Sequence, residues 1–304
     1  MSYTSTGKKK WGDKRDARLV RGLDGLHAYM PHMMPKRTDS ECYLHKEIDV
    51  TKLLEYVNRH NEENTDENGV LDPQKKLTVF HAIVYMTAKI VTERPVLNMY
   101  INGRRFYQRD QISLSFVARK RFVDHSEEAL MVLFPDEDYK LSDFTSKIVG
   151  EVHQARKEGE DYGADSTLNI LAKLPRWLMM FVQWILKTMD WYAVLPKPLA
   201  EMDPNHTTVL LSNLGSVGCD AVYHHLNNFG TNGIVITIGK IHKEVKIDEN
   251  GNTQLRDMMA LGITIDERLG DGFYFARSMK LFEYYAENPE KMELPLSEPL
   301  EFEY

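Results

Sequence analysis

The seven residues Asp266-Glu267-Arg268-Leu269-Gly270-Asp271-Gly272 constrain this chain more than any other stretch of it. They follow an apolar, strand-like run at 260–265 and precede an apolar-periodic helix at 273–289 that closes on Asn288-Pro289. A strand that passes through a charged turn directly into a helix belongs to an α/β domain. Gly272 is expected to supply a tight approach at the start of that helix.

With 304 residues, 42% hydrophobic and 27% charged, the chain can bury one large core or two modest ones. The formal charge of -7 argues against a dedicated nucleic-acid binder, which needs concentrated lysine and arginine. That charge is unevenly spread: residues 1–21 carry seven lysines and arginines against two aspartates, and residues 283–304 carry seven glutamates against Lys291. Runs of this kind are ordinarily solvated, or they wrap a neighbouring subunit. We therefore expect a basic amino-terminal arm over 1–40, a catalytic domain over 41–290 and an acidic tail over 291–304. Cys42 and Cys219 cannot form a disulfide framework, and no apolar leader opens the chain, so a reducing, cytoplasmic setting is expected. No His-Glu-x-x-His or Cys/His cluster is present, and no metal is expected.

Along the chain the pattern alternates. Residues 42–48 read as a strand, Asp49 or Thr51 can cap a helix bearing Val50, Leu53, Leu54 and Val57, and 77–93 is a helix ended by Pro95. Strands at 97–101 and 105–107 flank Asn102-Gly103, a hairpin signal. Residues 112–122 and 130–134 read as strands, and Ser142 starts a helix to Arg156. Thr207 to Ser212 is an apolar strand that ends in Ser212-Asn213-Leu214-Gly215, and 233–240 is another strand. Gly215 and Gly218 read as turn and bulge glycines.

These elements, in this order, resemble the catalytic domain of dihydrolipoyl acyltransferases and the related chloramphenicol acetyltransferases. The terminal D-x-R-x-x-D-G and the S-N-L-G after an apolar strand carry the resemblance. It implies an α/β fold, a chloramphenicol acetyltransferase-like two-layer sandwich with a mixed β-sheet and packed helices. It also implies a homotrimer that moves an acyl group between coenzyme A, or another thiol carrier, and an acceptor. Acyl-CoA would be a substrate, and the other partner a small-molecule acceptor. The short stretch ahead of residue 42 leaves no room for the lipoyl modules of the multienzyme members, so a stand-alone enzyme is expected.

In that family a histidine takes the thiol proton, and its position here holds Glu267. An ordinary carboxylate lies about four pKa units below a thiol, a deficit of roughly 5.7 kcal/mol, which is about four orders of magnitude in rate. Burial beside Asp266 and Asp271 would reduce the deficit, and Arg268 would restore it. Glu267 is thus either a working base or a salt-bridged residue in a disused site. Asp271, by the resemblance, pairs with an arginine and holds the turn; Arg37, Arg21 and Arg18 are the candidates. Ser212 matches the serine that stabilises the oxyanion, though a serine here can also bond its own backbone. Asn213 is a site or a turn residue. Among eleven histidines the adjacent His224-His225 is the best replacement base.

An insertion at about 160–205 separates this chain from ordinary relatives. Between Pro175 and Pro196 it is rich in tryptophan and methionine, with Arg176, Gln183, Lys187 and Asp190 spaced along one helical face. Such an amphipathic helix packs on the core or a neighbouring subunit, lines an acyl pocket, or lies on a membrane surface through 176–195. An inactive trimeric scaffold and a membrane-surface protein are therefore the alternatives to an acyltransferase.

Overall fold

The computed structural model describes residues 8–119, 128–158, 173–192, 194–247 and 250–302. In chain order its strands are β1 (Ala17–Leu19), β2 (Glu41–Asp49), β3 (Met99–Asn102), β4 (Arg105–Arg109), β5 (Leu114–Arg119), β6 (Glu128–Leu133), β7 (Val209–Asn213), β8 (Ile234–Ile247) and β9 (Thr253–Asp266). The helices are α1 (Gly25–Met33), α2 (Thr51–Glu63), α3 (Val79–Glu93), α4 (Leu141–Glu158), α5 (Arg176–Trp191), α6 (Lys197–Met202) and α7 (Gly272–Glu287). The parts of the proposed strand and insertion at 120–122, 160–172 and 193 lie outside the described residues.

Six strands form a mixed sheet in the order β2-β9-β8-β7-β5-β6, with β7 parallel to both β5 and β8. Helix α3 is apolar nearly all round and buried from His81 to Val91, as a central helix must be. It packs with α4 and α7 on one face of this sheet. Alternation decides what each strand sends there: Val209 and Leu211 of β7, and Leu261, Ile263 and Ile265 of β9, enter the core with Val84, Phe275 and Phe282. Ser212 and Gly262 consequently lie on the opposite face.

β1, β4 and β3 form a separate small sheet. The expected hairpin is there, shifted by one residue: Asn102 still pairs with Arg105, and the two turn residues are Gly103 and Arg104, with φ of 56° and 60°. That double positive φ is the two-residue turn whose twist matches the strands, and the adjoining ladder selects it over an Asn-Gly turn. β8 and β9 also run further than their apolar cores suggest, pairing out to Ile247 and Thr253. Described residues of both charged ends contact the domain. β1 pairs with β4, while Lys89 binds Glu93 and the Leu296 carbonyl, and Phe302 packs on Tyr284 at 5.1 Å.

Candidate active site

β9 delivers Asp266 to the end of the sheet, and the next three residues make a tight 3-10 turn, Glu267–Leu269. The Asp266 carboxylate caps this turn by accepting Arg268 N–H at 3.2 Å. Arg268 then folds back onto its own cap: Nε donates to Oδ1 at 2.7 Å and Nη2 to Oδ2 at 2.5 Å, with the two side chains 2% and 1% exposed. Its Nη1 reaches the Met34 carbonyl at 2.6 Å, and Ser40 Oγ donates to Asp266 at 3.1 Å. Because Arg268 turns inward, Glu267 turns outward. Its N–H is held by the Ser40 carbonyl at 2.8 Å while its side chain is exposed. Arg268 was expected to pull on Glu267; its charge is spent on Asp266 instead.

Asp271 also differs from expectation. It is exposed and caps α7, accepting Tyr274 N–H at 2.7 Å. No arginine pairs with it among the described residues. Arg21 pairs with Asp13 and Arg18 with Asp110, both at 2.9 Å, and Arg37 donates to the carbonyls of Ile101 and Asn227. The motif's buried arginine pair is thus made by its first aspartate, two residues from its partner, which helical or strand spacing does not reveal. Asp271→Ala should cost only what a lost helix cap costs, about 1 kcal/mol, or about 2–4 °C in calorimetry. A drop several times larger would mean that a charge holds this carboxylate.

Ser212 is half-buried on the sheet face opposite the helices, and its hydroxyl makes no hydrogen bond among the described residues. The backbone-bonded reading of this serine therefore fails. Asn213 is a turn residue: its Oδ1 accepts Ser216 N–H at 3.2 Å and its carbonyl accepts Ser216 Oγ at 2.8 Å. Gly215 opens the turn because a Cβ there would stand 2.5 Å from the Gly239 carbonyl oxygen, and Gly218 closes it with φ of 77°.

Strand register locates these groups relative to one another. Ser212 lies beside Thr237, and Thr237 beside Gly262. Glu267 is five residues beyond Gly262, which is about 16 Å along the strand. A single chain therefore keeps the serine and the glutamate apart.

The segment between β7 and β8 crosses that same sheet face. Thr237 Oγ donates to the Val222 carbonyl, Tyr223 packs on Tyr43 at 5.3 Å, and Leu226 N–H donates to Glu41 at 2.6 Å. His224 and His225 fall between the last two contacts, exposed, with ring centroids 5.4 Å apart. Glu41 pairs with Asp266, so the two histidines lie beside the strand pair that ends at Glu267.

A second charged cluster escaped the sequence reading. Asp190, near the end of α5, accepts from His206 Nε2 at 2.9 Å, and Asp203 accepts from Nδ1 at 2.9 Å. The polar residue at 190 faces inward, while Trp177, Met180, Phe181 and Trp184 stay exposed on the chain. Burial by itself would lower the His206 pKa, but the two carboxylates outweigh it and hold it above its ordinary value. Both ring nitrogens are engaged, so His206 is a charged clasp rather than a free base. The Asp203-Pro204-Asn205-His206 turn was the available signal, since an Asx turn at Asp203 brings the histidine back onto it.

A raised histidine pKa contributes stability that is complete below the unfolded value, about 6.5, and is lost as pH rises through the folded value. Subtracting the His206→Gln denaturation midpoint from that of wild type should give a difference that shrinks between pH 6 and 8. Lys14 titrates in the same range and interacts with Asp190, so the comparison is repeated in a Lys14→Met background, where the remaining groups cancel. A pH-independent difference would refute the charged clasp.

The sequence matches the family described as 2-oxoacid dehydrogenases acyltransferase (catalytic domain) over residues 28–121 and 195–294. The chain belongs to this family, and the unmatched stretch between those ranges contains α5. Among similar solved structures is a probable dihydrolipoamide acetyltransferase from Listeria monocytogenes, at 18% identity and TM-score 0.58, covering 91% of this chain and 95% of the other. The cubic core of a pyruvate dehydrogenase multienzyme complex has 15% identity and TM-score 0.59, with 95% of each chain covered. The Azotobacter vinelandii dihydrolipoamide acetyltransferase, investigated for the roles of a serine, a histidine and an asparagine in its mechanism, has 14% identity and TM-score 0.59, again over 95% of each. At these identities the likeness is one of fold. It is the mixed α/β acyltransferase sandwich read from the sequence. No curated protein matches the chain.

Proposed function

We propose that this protein transfers an acyl group between coenzyme A, or another thiol carrier, and a small acceptor, at a site shared between subunits of a homotrimer. The observation that carries the reading is the separation of Ser212 from Glu267. Each is exposed or half-buried and uncommitted to its own chain, yet they stand at different levels of the sheet. A neighbouring copy would bring its Ser212 hydroxyl towards the Glu267 turn. There the hydroxyl would donate to the oxyanion of the tetrahedral intermediate, and Glu267 would take the proton of the attacking acceptor and return it to the departing coenzyme A thiolate; in the reverse direction it takes the proton of the thiol. The investigated serine and histidine of the Azotobacter enzyme support these positions, with Glu267 standing in for the histidine.

Two-chain complementation tests the arrangement. Co-expressed Ser212→Ala and Glu267→Gln subunits, each inactive alone, should recover about a quarter of the wild-type thiol release, because random mixing leaves that share of shared sites intact. No recovery, or a monomer by light scattering, would overturn it.

A second reading, an inactive trimer that serves as a scaffold, is favoured by one observation: the turn is stabilised by Asp266 and Arg268 without any contribution from the Glu267 side chain. Wild type would then release no thiol at any acyl-CoA concentration. The exposed aromatic face of α5 favours a third, association with a membrane surface, which flotation with liposomes would detect. No helix among the described residues is long and apolar enough to cross a membrane.

A further inference from the structure

A cavity of about 320 Å³ with several charged residues in its wall lies where the amino-terminal segment, the β3–β4 hairpin and the end of α5 meet. Neither Glu267 nor Ser212 lines it. Its volume is at the low end for ligand pockets, room for a metabolite of a few carbons and too little for a coenzyme A.

Three residues of its wall each carry one polar atom that has no hydrogen-bond partner among the described residues. Lys14 is 9% exposed, and its Nζ lies 5.1 and 4.2 Å from the ring centroids of Tyr100 and Tyr107, with no hydrogen-bond acceptor among the described residues. The rings offset part of the cost of removing an ammonium from water, but they do not replace an anion. Arg109 is 8% exposed; its Nη2 is fixed by the carbonyls of Thr207 and Thr231 at 3.0 Å, and its Nε has no acceptor. Asn102 is 7% exposed; its amide donates to Asp190 at 3.4 Å, and its Oδ1 has no donor.

Buried polar groups in native structures are satisfied, and three orphans at one cavity mark what is missing there. The two cationic groups require an acceptor, which a carboxylate supplies. Asn102 Oδ1 requires a donor, which a simple alkanoate lacks. We propose that this cavity binds a small carboxylate bearing a hydroxyl or amino group, with Lys14 as its ion-pair partner and Asn102 as the acceptor of its donor.

The electrostatics agree in direction. Burial pushes the Lys14 pKa down to about 7; Asp190 on α5 and Asp16 oppose this, while Arg109 on β4 and Arg37 add to it. A bound carboxylate favours the protonated amine, so affinity should fall as pH rises from 6 to 8.

Calorimetric titration of the full chain with two matched series tests this: lactate, alanine and propionate, then malate, aspartate and succinate. At least one hydroxy or amino acid should bind about tenfold or more tightly than its unsubstituted parent, since the parent leaves Asn102 unpaired. The lactate and malate arms separate the hydroxyl preference from the amino preference. Lys14→Met should abolish binding. Asn102→Ala should bring the substituted acid level with its parent, and it reports independently if Lys14→Met fails to fold. The proposal is overturned if none of the six binds below about 10 mM. It is also overturned if the parents bind as well as the substituted acids, or if Lys14→Met leaves affinity unchanged. Thiol release plays no part in the readout, so the result stands apart from the acyl-transfer reading.

Discussion

Glu267→His should raise thiol release from acyl-coenzyme A by about two orders of magnitude, the gain expected when a carboxylate base about four pKa units below a thiol is replaced by one about two units below it. The local structure permits this substitution. Glu267 is exposed, its side chain makes no hydrogen bond or ion pair among the described residues, and it is held through its backbone N–H by Ser40. An imidazole at 267 would project from the same backbone, beside a buried guanidinium already neutralised by Asp266. Glu267→Gln should abolish wild-type activity without altering the melting temperature. A histidine variant as inactive as wild type would point away from the base and towards a blocked cleft. A wild-type rate unchanged by Glu267→Gln would transfer the role to His224 or His225.

The largest stability effect should come from Asp266. Asp266→Ala removes the cap of the 3-10 turn, the acceptor of Ser40 Oγ and both acceptors of a guanidinium that is 2% exposed. Breaking a buried pair from one side typically costs about 3–5 kcal/mol, which for a domain of this size is on the order of 10 °C in melting temperature. Much of that cost is the stranded charge. Asp266→Leu combined with Arg268→Met should therefore melt above Asp266→Ala, even though two residues have changed. If Asp266→Ala melts within a degree of wild type, water reaches Arg268 and the pair is not buried in solution.

The two aspartates of the motif show where sequence reasoning stops. The resemblance assigns the arginine partner to Asp271 and gives Asp266 none. The backbone decides otherwise: the 3-10 turn aims Arg268 back at Asp266, while the start of α7 turns Asp271 outward as a cap. Asp190 likewise shares one polar helical face with Arg176, Gln183 and Lys187 by its spacing. It is the point at which α5 is fastened, because Asp203 holds His206 where that carboxylate can reach it.

Residue order alone determined the α/β class, the positions of the apolar strands and central helix, and the turn that presents Glu267, because periodicity and glycine or proline placement act over a few residues. The substitution of a carboxylate at that turn was equally legible, since it depends on residue identity alone. Tertiary structure decided which charges meet, that Ser212 and Glu267 stand at different levels of one sheet, and that Lys14, Asn102 and Arg109 converge on one cavity. Those facts depend on strand register and on segments far apart in the chain being brought together. Neither leaves a periodic trace in the sequence.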